Sequence, residues 1–203
     1  MQTYDLELEH QFKPFARNSI IWGLNYRLLD DDVRNTAGVA FLPPEDTFNL
    51  LGAFVQDEID LIEDKLKLTF GSKFEHNDFS GFEVQPSVRL AWNVDDRQTI
   101  WGAVSRAVRT PSRIDRDFFV PAAAPFLLAG GPGVESETLI AYELGYRIQP
   151  TETVSVSLSA YYNDYDNLRS FETAFPPFPP FIAGNELEGE SYGIEGGVNF
   201  HAT

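Results

Sequence analysis

The chain has 203 residues, with 15 Lys plus Arg against 31 Asp plus Glu, for a formal net charge of −16. So acidic a chain repels nucleic acid, which excludes that class of partner. It has no cysteine, which removes disulfide scaffolds, thiolate metal sites and cysteine nucleophiles, and its 43 % hydrophobic content, with 17 Phe, 8 Tyr and 3 Trp, is too high for a disordered acidic segment.

Read in chain order, the dominant hydrophobic period is two. The start, Met1 to Glu9, alternates acidic and apolar residues and lacks the basic segment and apolar run of a signal peptide. Ile20, Trp22, Leu24, Tyr26 and Leu28 alternate with Ile21, Gly23, Asn25 and Arg27. Leu66, Leu68, Phe70 and Phe74 alternate with Lys67, Thr69, Gly71 and Lys73. Ile140, Tyr142, Leu144, Tyr146 and Ile148 form a third such set, and Val154, Val156, Leu158, Ala160 and Tyr162 a fourth. Successive side chains then point to opposite faces, one apolar and one polar. About nine strands are predicted, near 3–12, 18–29, 47–60, 66–75, 83–93, 98–108, 137–149, 153–163 and 189–200. No stretch carries a helical stripe. The longest apolar run, Phe119 to Val134, holds three Pro and three Gly and cannot be a spanning helix. Any encounter with a membrane must therefore go through β-structure.

Short connections are expected at Lys13–Arg17, Leu61–Lys65, Val94–Arg97 and Pro150–Glu152. Long ones are expected at Asp30–Asp46, His76–Phe82, Arg109–Ser136 and Asp164–Glu188, in alternation with the short ones. Outer-membrane barrels sort their turns in this way. Ten residues at about 3.3 Å rise and about 45° tilt climb roughly 23 Å, close to the apolar band of such a barrel. The expected fold is all-β, an antiparallel up-and-down meander forming part of a transmembrane β-barrel. A soluble β-sheet protein stays open as an alternative, because the polar face would also serve as a solvent face. In Gln98–Val108, placing Ile100 and Val104 in lipid would also place Arg106 there, at about 2–4 kcal/mol at mid-depth. Trp101 is therefore expected to face lipid. Trp22, Trp92, Trp101, Tyr142, Tyr146 and Tyr162 are the expected lipid-facing girdle. Cross-strand packing of Trp92 on Trp101 is the competing reading.

Four segments, in order, resemble those of TonB-dependent outer-membrane receptors. Leu51-Gly-Ala-Phe-Val-Gln-Asp-Glu58 followed by Lys65-Leu-Lys-Leu-Thr-Phe-Gly-Ser-Lys-Phe74 resembles a recurring strand–turn–strand of that family. Ser105 to Ser112 resembles its box ending in Arg-x-Pro-Ser. Glu143 to Arg147 with Ala160 to Leu168 resembles the following hairpin, and Ser191-Tyr-Gly-Ile-Glu-Gly196 a strand entry. The resemblance implies a 22-stranded barrel around an N-terminal plug, importing a scarce bulky nutrient with energy relayed by TonB. Residues 1–203 are then expected to be one partial barrel domain, an open curved sheet or incomplete barrel without the plug and the C-terminal strands.

The function that follows is a fragment of a receptor for active uptake, with a ferric siderophore as the small-molecule ligand, in the outer membrane of a Gram-negative bacterium. A passive porin-like channel and a soluble binding protein are the alternatives. The implied partners are outer-membrane lipid, the plug of the same protein and the TonB complex, reached through a region outside this sequence. For the ligand, Phe171, Phe175, Phe178 and Phe181 lie in a Pro-stiffened run, FETAFPPFPPF, that presents rings at low entropy cost. Arg109, Arg113 and Arg116, with Arg106, cluster near one rim and would grip an anion, or else pair with Asp115, Asp117 and the acidic wall. Arg109 and Pro111 belong to the family box, which argues for a structural or plug-facing role. Asp30–Asp32 and the set Asp164, Asp166 and Glu172 lack the spacing of a calcium loop. His10, His76 and His201 are scattered, so no metal or cofactor is expected. His76, Asp78 and Ser80 are too local to form a hydrolase triad, and no enzyme activity is expected.

Overall fold

The computed structural model describes residues 1–201, apart from the side chains of Ala174 and Phe175. Nine long strands dominate: β1 (Gln2–Phe12), β2 (Asn18–Asp32), β4 (Glu45–Ile62), β5 (Leu66–Asn77), β6 (Gly81–Asp95), β7 (Gln98–Arg109), β10 (Glu137–Thr151), β11 (Val154–Phe175) and β12 (Phe178–Phe200). Three two-residue strands, β3 (Ala40–Phe41), β8 (Phe118–Phe119) and β9 (Leu128–Ala129), and one helical turn, α1 (Arg113–Arg116), lie in the connections. The long strands follow one another in chain order across a single sheet, with β9 added to the outer edge of β12. Each long strand runs antiparallel to the next. β1 and β12 do not pair with one another, so the sheet is open.

The register carries the two-faced pattern without a slip across the middle of the sheet, and its shifts fall near the strand ends and in the upper part of β11 and β12. One continuous row reads Ile59, Leu68, Leu90, Gly102, Leu144, Ala160, Ile194, with no charged member. Opposed residues share a face and neighbours along a strand do not, so one register fixes the side of every residue. Among the described residues, large side chains of the apolar face stand open. Leu144 is 61 % and Ile194 76 % exposed, on a sheet whose other face carries Lys67, Arg89, Glu143 and Glu195.

Trp22, Trp92, Tyr142, Tyr146 and Tyr162 all lie on the apolar face. Tyr142, Tyr162 and Tyr192 stand in one cross-strand row, with the first two rings 6.2 Å apart. Trp101 is the exception, and the expectation that it lies with Trp92 is overturned. Trp92 opposes Ile100, whereas Trp101 opposes Ala91 and Gly145 on the polar face. The physical reason is a glycine seat. A Cβ at Gly145 would lie 2.3 Å from the indole, so the ring lies over the missing side chain, and the Arg89 guanidinium sits 5.9 Å from the ring centre. Phe54 covers Gly23 and Tyr161 covers Gly193 on the same face in the same manner. The penalty expected for Arg106 on the apolar face is avoided because that side chain leaves the face near the strand end and reaches the Val84 carbonyl.

Two expected long loops are not loops. β5 and β6 pair as far as Asn77 and Gly81, which leaves only Asp78–Ser80 as a tight turn. Asn77 Oδ1 accepts the Phe79 and Ser80 amides there, which closes the turn locally. The region 164–188 is mostly hairpin, because β11 and β12 continue to Phe175 and Phe178 through register shifts near Asn167. Asn167 takes φ 56, a left-handed conformation that Asn tolerates. The remaining long connections, 33–44 and 110–136, fold together at the end of the sheet opposite the short turns.

Gly145→Val should overpack the Trp101 seat and lower unfolding stability by about 1–3 kcal/mol. Urea unfolding of the folded receptor in detergent, followed by tryptophan emission, measures this. A midpoint unchanged from wild type would show that the ring does not rest on Gly145.

Candidate functional site: an arginine–carboxylate lid at the rim

The connection after β7 is set by Arg109-Thr-Pro-Ser112. Pro111 stops the strand, and Ser112 starts α1 from an extended conformation (φ −124, ψ 173). Asp115, three residues on, accepts from the Ser112 amide at 2.9 Å and from its hydroxyl at 2.8 Å. That return contact is the second half of a capping box. The same carboxylate accepts from Arg169 on β11 at 3.0 Å and from Arg109 at 3.4 Å. Asp115 is 1 % exposed. Arg109 forks onto Glu137 at the start of β10, with Nε to Oε2 2.8 Å and Nη2 to Oε1 2.7 Å. Glu137 also accepts the Arg169 amide at 2.9 Å. Three strands and the helical turn are thereby tied through two carboxylates.

Burial pushes the Asp115 carboxyl upward, but hydrogen bonds from Arg169 and Ser112 and the charge of Arg109 outweigh it. The net effect holds this group below the usual carboxylate range.

Arg113 anchors the other side of the lid. It is 7 % exposed, pairs with Asp31 of β2 at 3.0 Å and with Asp117 at 3.3 Å, and donates to the Pro43 carbonyl. Its guanidinium lies 5.1 Å from the Phe41 ring centre and 5.8 Å from that of Phe48. Phe48 stacks on Phe79 at 4.6 Å, and Arg116 covers Phe79 while donating to the Asp78 and Phe79 carbonyls. Leu29 and Phe48 sit on the polar face, beneath this lid. They break the alternation because the lid, rather than water, lies over them. β3 pairs with β8, and Leu42 donates to the Asp117 carbonyl at 2.9 Å, so the two long connections form one layer.

The lid also docks on the tall hairpin. β9 runs parallel to β12, with Leu128 opposite Phe181. Asn185 accepts the Glu135 amide at 2.7 Å and donates to the Glu135 and Asn167 carbonyls. Gly131 makes the approach possible, since a Cβ there would fall 1.9 Å from the Ala183 carbonyl oxygen.

The expected ligand residues therefore separate. Arg113 is buried with its donors engaged, which corrects the reading of it as a grip on an anion. Arg109 and Arg116 stand at the rim, committed to carboxylates and to backbone carbonyls respectively. Phe178 is 66 % exposed at the hairpin tip, and Phe171 is half-exposed beneath the Arg169 guanidinium. Phe181 is partly covered by the lid, and the Phe175 side chain lies outside the described residues. Reading by segment missed Arg169 and Glu137 as members of the network. The Ser112-x-x-Asp115 spacing was a visible signal for α1. Among the described residues no cluster of three His, Cys, Asp or Glu side chains would hold a metal ion.

The architecture is that of a β-barrel wall with a folded lid at one rim. The family model described as TonB dependent receptor-like, beta-barrel matches residues 1–201, and the chain belongs to that family. It is 31 % identical over 114 residues to the Iron-regulated outer membrane virulence protein of Vibrio cholerae serotype O1 (strain ATCC 39541), a match covering 55 % of this chain and 17 % of that one. It is 26 % identical over 128 residues to the Ferric enterobactin receptor of Pseudomonas aeruginosa, covering 58 % and 17 %. The chain thus spans under a fifth of the length of these relatives. Among solved structures, the siderophore receptor PirA from Pseudomonas aeruginosa superposes with a TM-score of 0.76 at 19 % identity, over 96 % of this chain and 36 % of that one. The FrpB iron transporter from Neisseria meningitidis gives 0.74 at 12 % identity, over 99 % and 33 %. At those identities the structures show the fold alone.

Asp115→Asn should leave Arg109 and Arg169 short of a counter-charge. Because both arginines are about half-exposed, the loss is set at about 2 kcal/mol rather than that of a fully buried pair. Amide exchange in residues 118–136, corrected for intrinsic rates, should then accelerate roughly 30-fold. An unchanged exchange pattern would show that Asp115 does not hold the lid.

The folded carboxyl lies lower than the unfolded one, so its stabilisation is complete above the unfolded value, about 3.9. It is lost as pH falls through the lower folded value. Acid loosening of the wild-type lid, followed by a fluorophore on the lid, should therefore begin only below about pH 4 and be smaller in Asp115→Asn, where only the Glu137, Asp31 and Asp117 pairs remain to be broken. A transition at pH 6 would contradict the assignment.

Proposed function

We propose that this chain forms part of the wall of an outer-membrane receptor that takes up a ferric siderophore, with energy relayed by TonB. The observation that carries the reading is the family match over residues 1–201, joined to a sheet whose apolar face leaves large side chains such as Leu144, Tyr192 and Ile194 exposed. The named relatives, an iron-regulated outer-membrane protein and a ferric enterobactin receptor, support iron as the cargo.

The sheet accounts for the membrane part of this work. Val154 to Tyr162 extends roughly 26 Å along its strand, or roughly 20 Å along the axis of a barrel whose strands tilt by about 40°. That matches the apolar band of an outer membrane, with the Tyr142, Tyr162 and Tyr192 row at one boundary and Trp92 and Tyr146 toward the other. The polar face, with its glycine-seated rings and ion pairs, is the side toward a plug. The lid lies over that face at the rim opposite the short turns, which is where a ligand arrives from outside.

Ligand contact falls to ring surface rather than to charge. Arg113 is consumed by Asp31 and Asp117, and Arg109 by Glu137, while Phe178 and Phe171 remain open on the hairpin. The net charge of −16 argues in the same direction, because it opposes long-range capture of an anion.

In cells producing the complete receptor, Phe178→Ser should reduce binding of a ferric catecholate or hydroxamate probe about tenfold, while Lys and Arg substitutions elsewhere on the rim change it little. Affinity should vary less than threefold between 50 and 300 mM salt, where charge-led capture would fall steeply. Uptake should vanish in a strain lacking TonB. Uptake that persists there would favour a passive channel.

A further inference from the structure

β12 has two edges, and they are served differently. Along the first it pairs with β11 from Phe200 up to Phe178. Along the second its neighbour in the sheet is β9, parallel to it at Phe181 and Ile182. Below that contact the second edge meets no strand among the described residues. Ala183, beneath the lid, is 6 % exposed, whereas Ile194 and Val198 are 76 % and 70 % exposed.

The lid takes alternate residues of β12 at the rim. The Phe181 amide donates to the Leu127 carbonyl at 2.9 Å. Gly131 abuts the Ala183 carbonyl, and the Asn185 side chain accepts from the Glu135 amide and donates to its carbonyl. The lid chain is also held from behind. The Gly131 amide donates to the Asp115 carbonyl at 2.9 Å, and a Cβ on Gly130 would fall 2.0 Å from the Arg116 carbonyl oxygen. Gly130 and Gly131 therefore thread between α1 and β12, where no side chain fits. Val120 and Leu128 close an antiparallel bridge just ahead of them, with both amides donating.

Direction decides what this contact is. Each long strand runs antiparallel to the next, so a strand that continues the wall past β12 runs from the short-turn end toward the rim. β9 runs the opposite way, parallel to β12, and lies in the path of such a strand. An edge amide donates to one neighbour, and the Phe181 amide is already taken. Residues 186–200 climb roughly 38 Å at about 3.3 Å rise and about 40° tilt, more than the roughly 25 Å apolar band of a barrel. Backbone pairing inside hydrocarbon is thus complete below the contact, and the rim edge is free to serve the lid.

We propose that β9 is an edge cap that sets where the wall beside β12 ends. A strand of the same receptor, from outside residues 1–203, docks antiparallel along 186–200 and stops below Asn185, where the lid holds the edge. The hairpin tip above that point stands clear of the wall, with the lid as its outer neighbour. The inference rests on the reading of this sheet as a barrel wall. It adds the surface that receives the next strand, the height at which that strand stops and the segment that stops it.

The test uses the complete receptor carrying this segment, folded in detergent, with Leu128→Cys and Phe181→Cys combined. Residues 1–203 hold no cysteine, and opposed residues of paired strands lie within the Cα range of a disulfide. Mild oxidation should join the peptides holding positions 128 and 181, read by mass spectrometry of a digest before and after reduction. Amide exchange is the second readout. In wild type, Phe181 and all of 190–198 should be protected. Gly131→Val, whose side chain meets the Ala183 carbonyl, should accelerate exchange at Phe181 by at least about fivefold, the loss of one hydrogen bond, and leave 190–198 unchanged. Heat-dependent migration on electrophoresis confirms that each variant is folded, and the cross-link alone decides if Gly131→Val is not. Absence of the cross-link, or Phe181 protection that survives Gly131→Val, would show that the lid does not hold this edge and overturns the cap. Rapid exchange at alternate amides of 190–198 in wild type would mark a bare edge and overturn the wall reading itself, so the two failures are distinct.

Discussion

A backbone amide in hydrocarbon has no water to turn to, so each must be satisfied by another strand. That requirement underlies the whole architecture. It makes the strands long, keeps neighbours antiparallel and joined by tight turns, and allows no register slip, since a slip by one residue would exchange the two faces. Nine strands hold a single register, from Leu8 opposite Leu24 at one side to Ala160 opposite Ile194 at the other. The bulges confirm the rule by their location. They cluster at the short turns, between Asp60 and Ile62, Asn93 and Asp95, and Ile148 and Thr151, or above the apolar band near Asn167. In both places water or loop atoms serve the freed backbone groups.

Where the strands leave that band, the constraint changes. Side chains then take over from the backbone ladder in holding the chain together. Asp115, Glu137 and Asp31 gather Arg109, Arg169 and Arg113 from segments that are far apart in sequence, which joins the lid to four strands. Such a network is costly to leave half-satisfied, and this one leaves neither Asp115 oxygen unserved. The excess of acid over base in the chain is partly explained here, since rim arginines act as rivets between carboxylates.

The strand pattern is legible because period two runs through the apolar band of most strands. The nine long strands follow from the alternation, as do the faces of β2, β5, β10 and the first half of β11. In β7 both residue sets are mixed, and Arg106 against Trp101 is a choice that hydropathy cannot make. The deciding partners, Gly145 for the indole and the Val84 carbonyl for the guanidinium, come from other strands. The hairpin beyond Asn163 looks like loop in the sequence because its prolines and phenylalanines carry no alternation, although the ladder continues through them. The pairing of Arg113 with Asp31 spans 82 residues of sequence, a separation at which charge pattern alone specifies no partner.

The central claim is that one face of this sheet meets hydrocarbon and the other meets water or polar protein. Single tryptophan variants of the complete receptor, retaining only Trp92 or only Trp101 and reconstituted in bilayers, compare adjacent strands directly. Brominated acyl chains should quench Trp92 strongly and Trp101 weakly. Equal quenching of the two by the lipid-borne bromine would contradict the account.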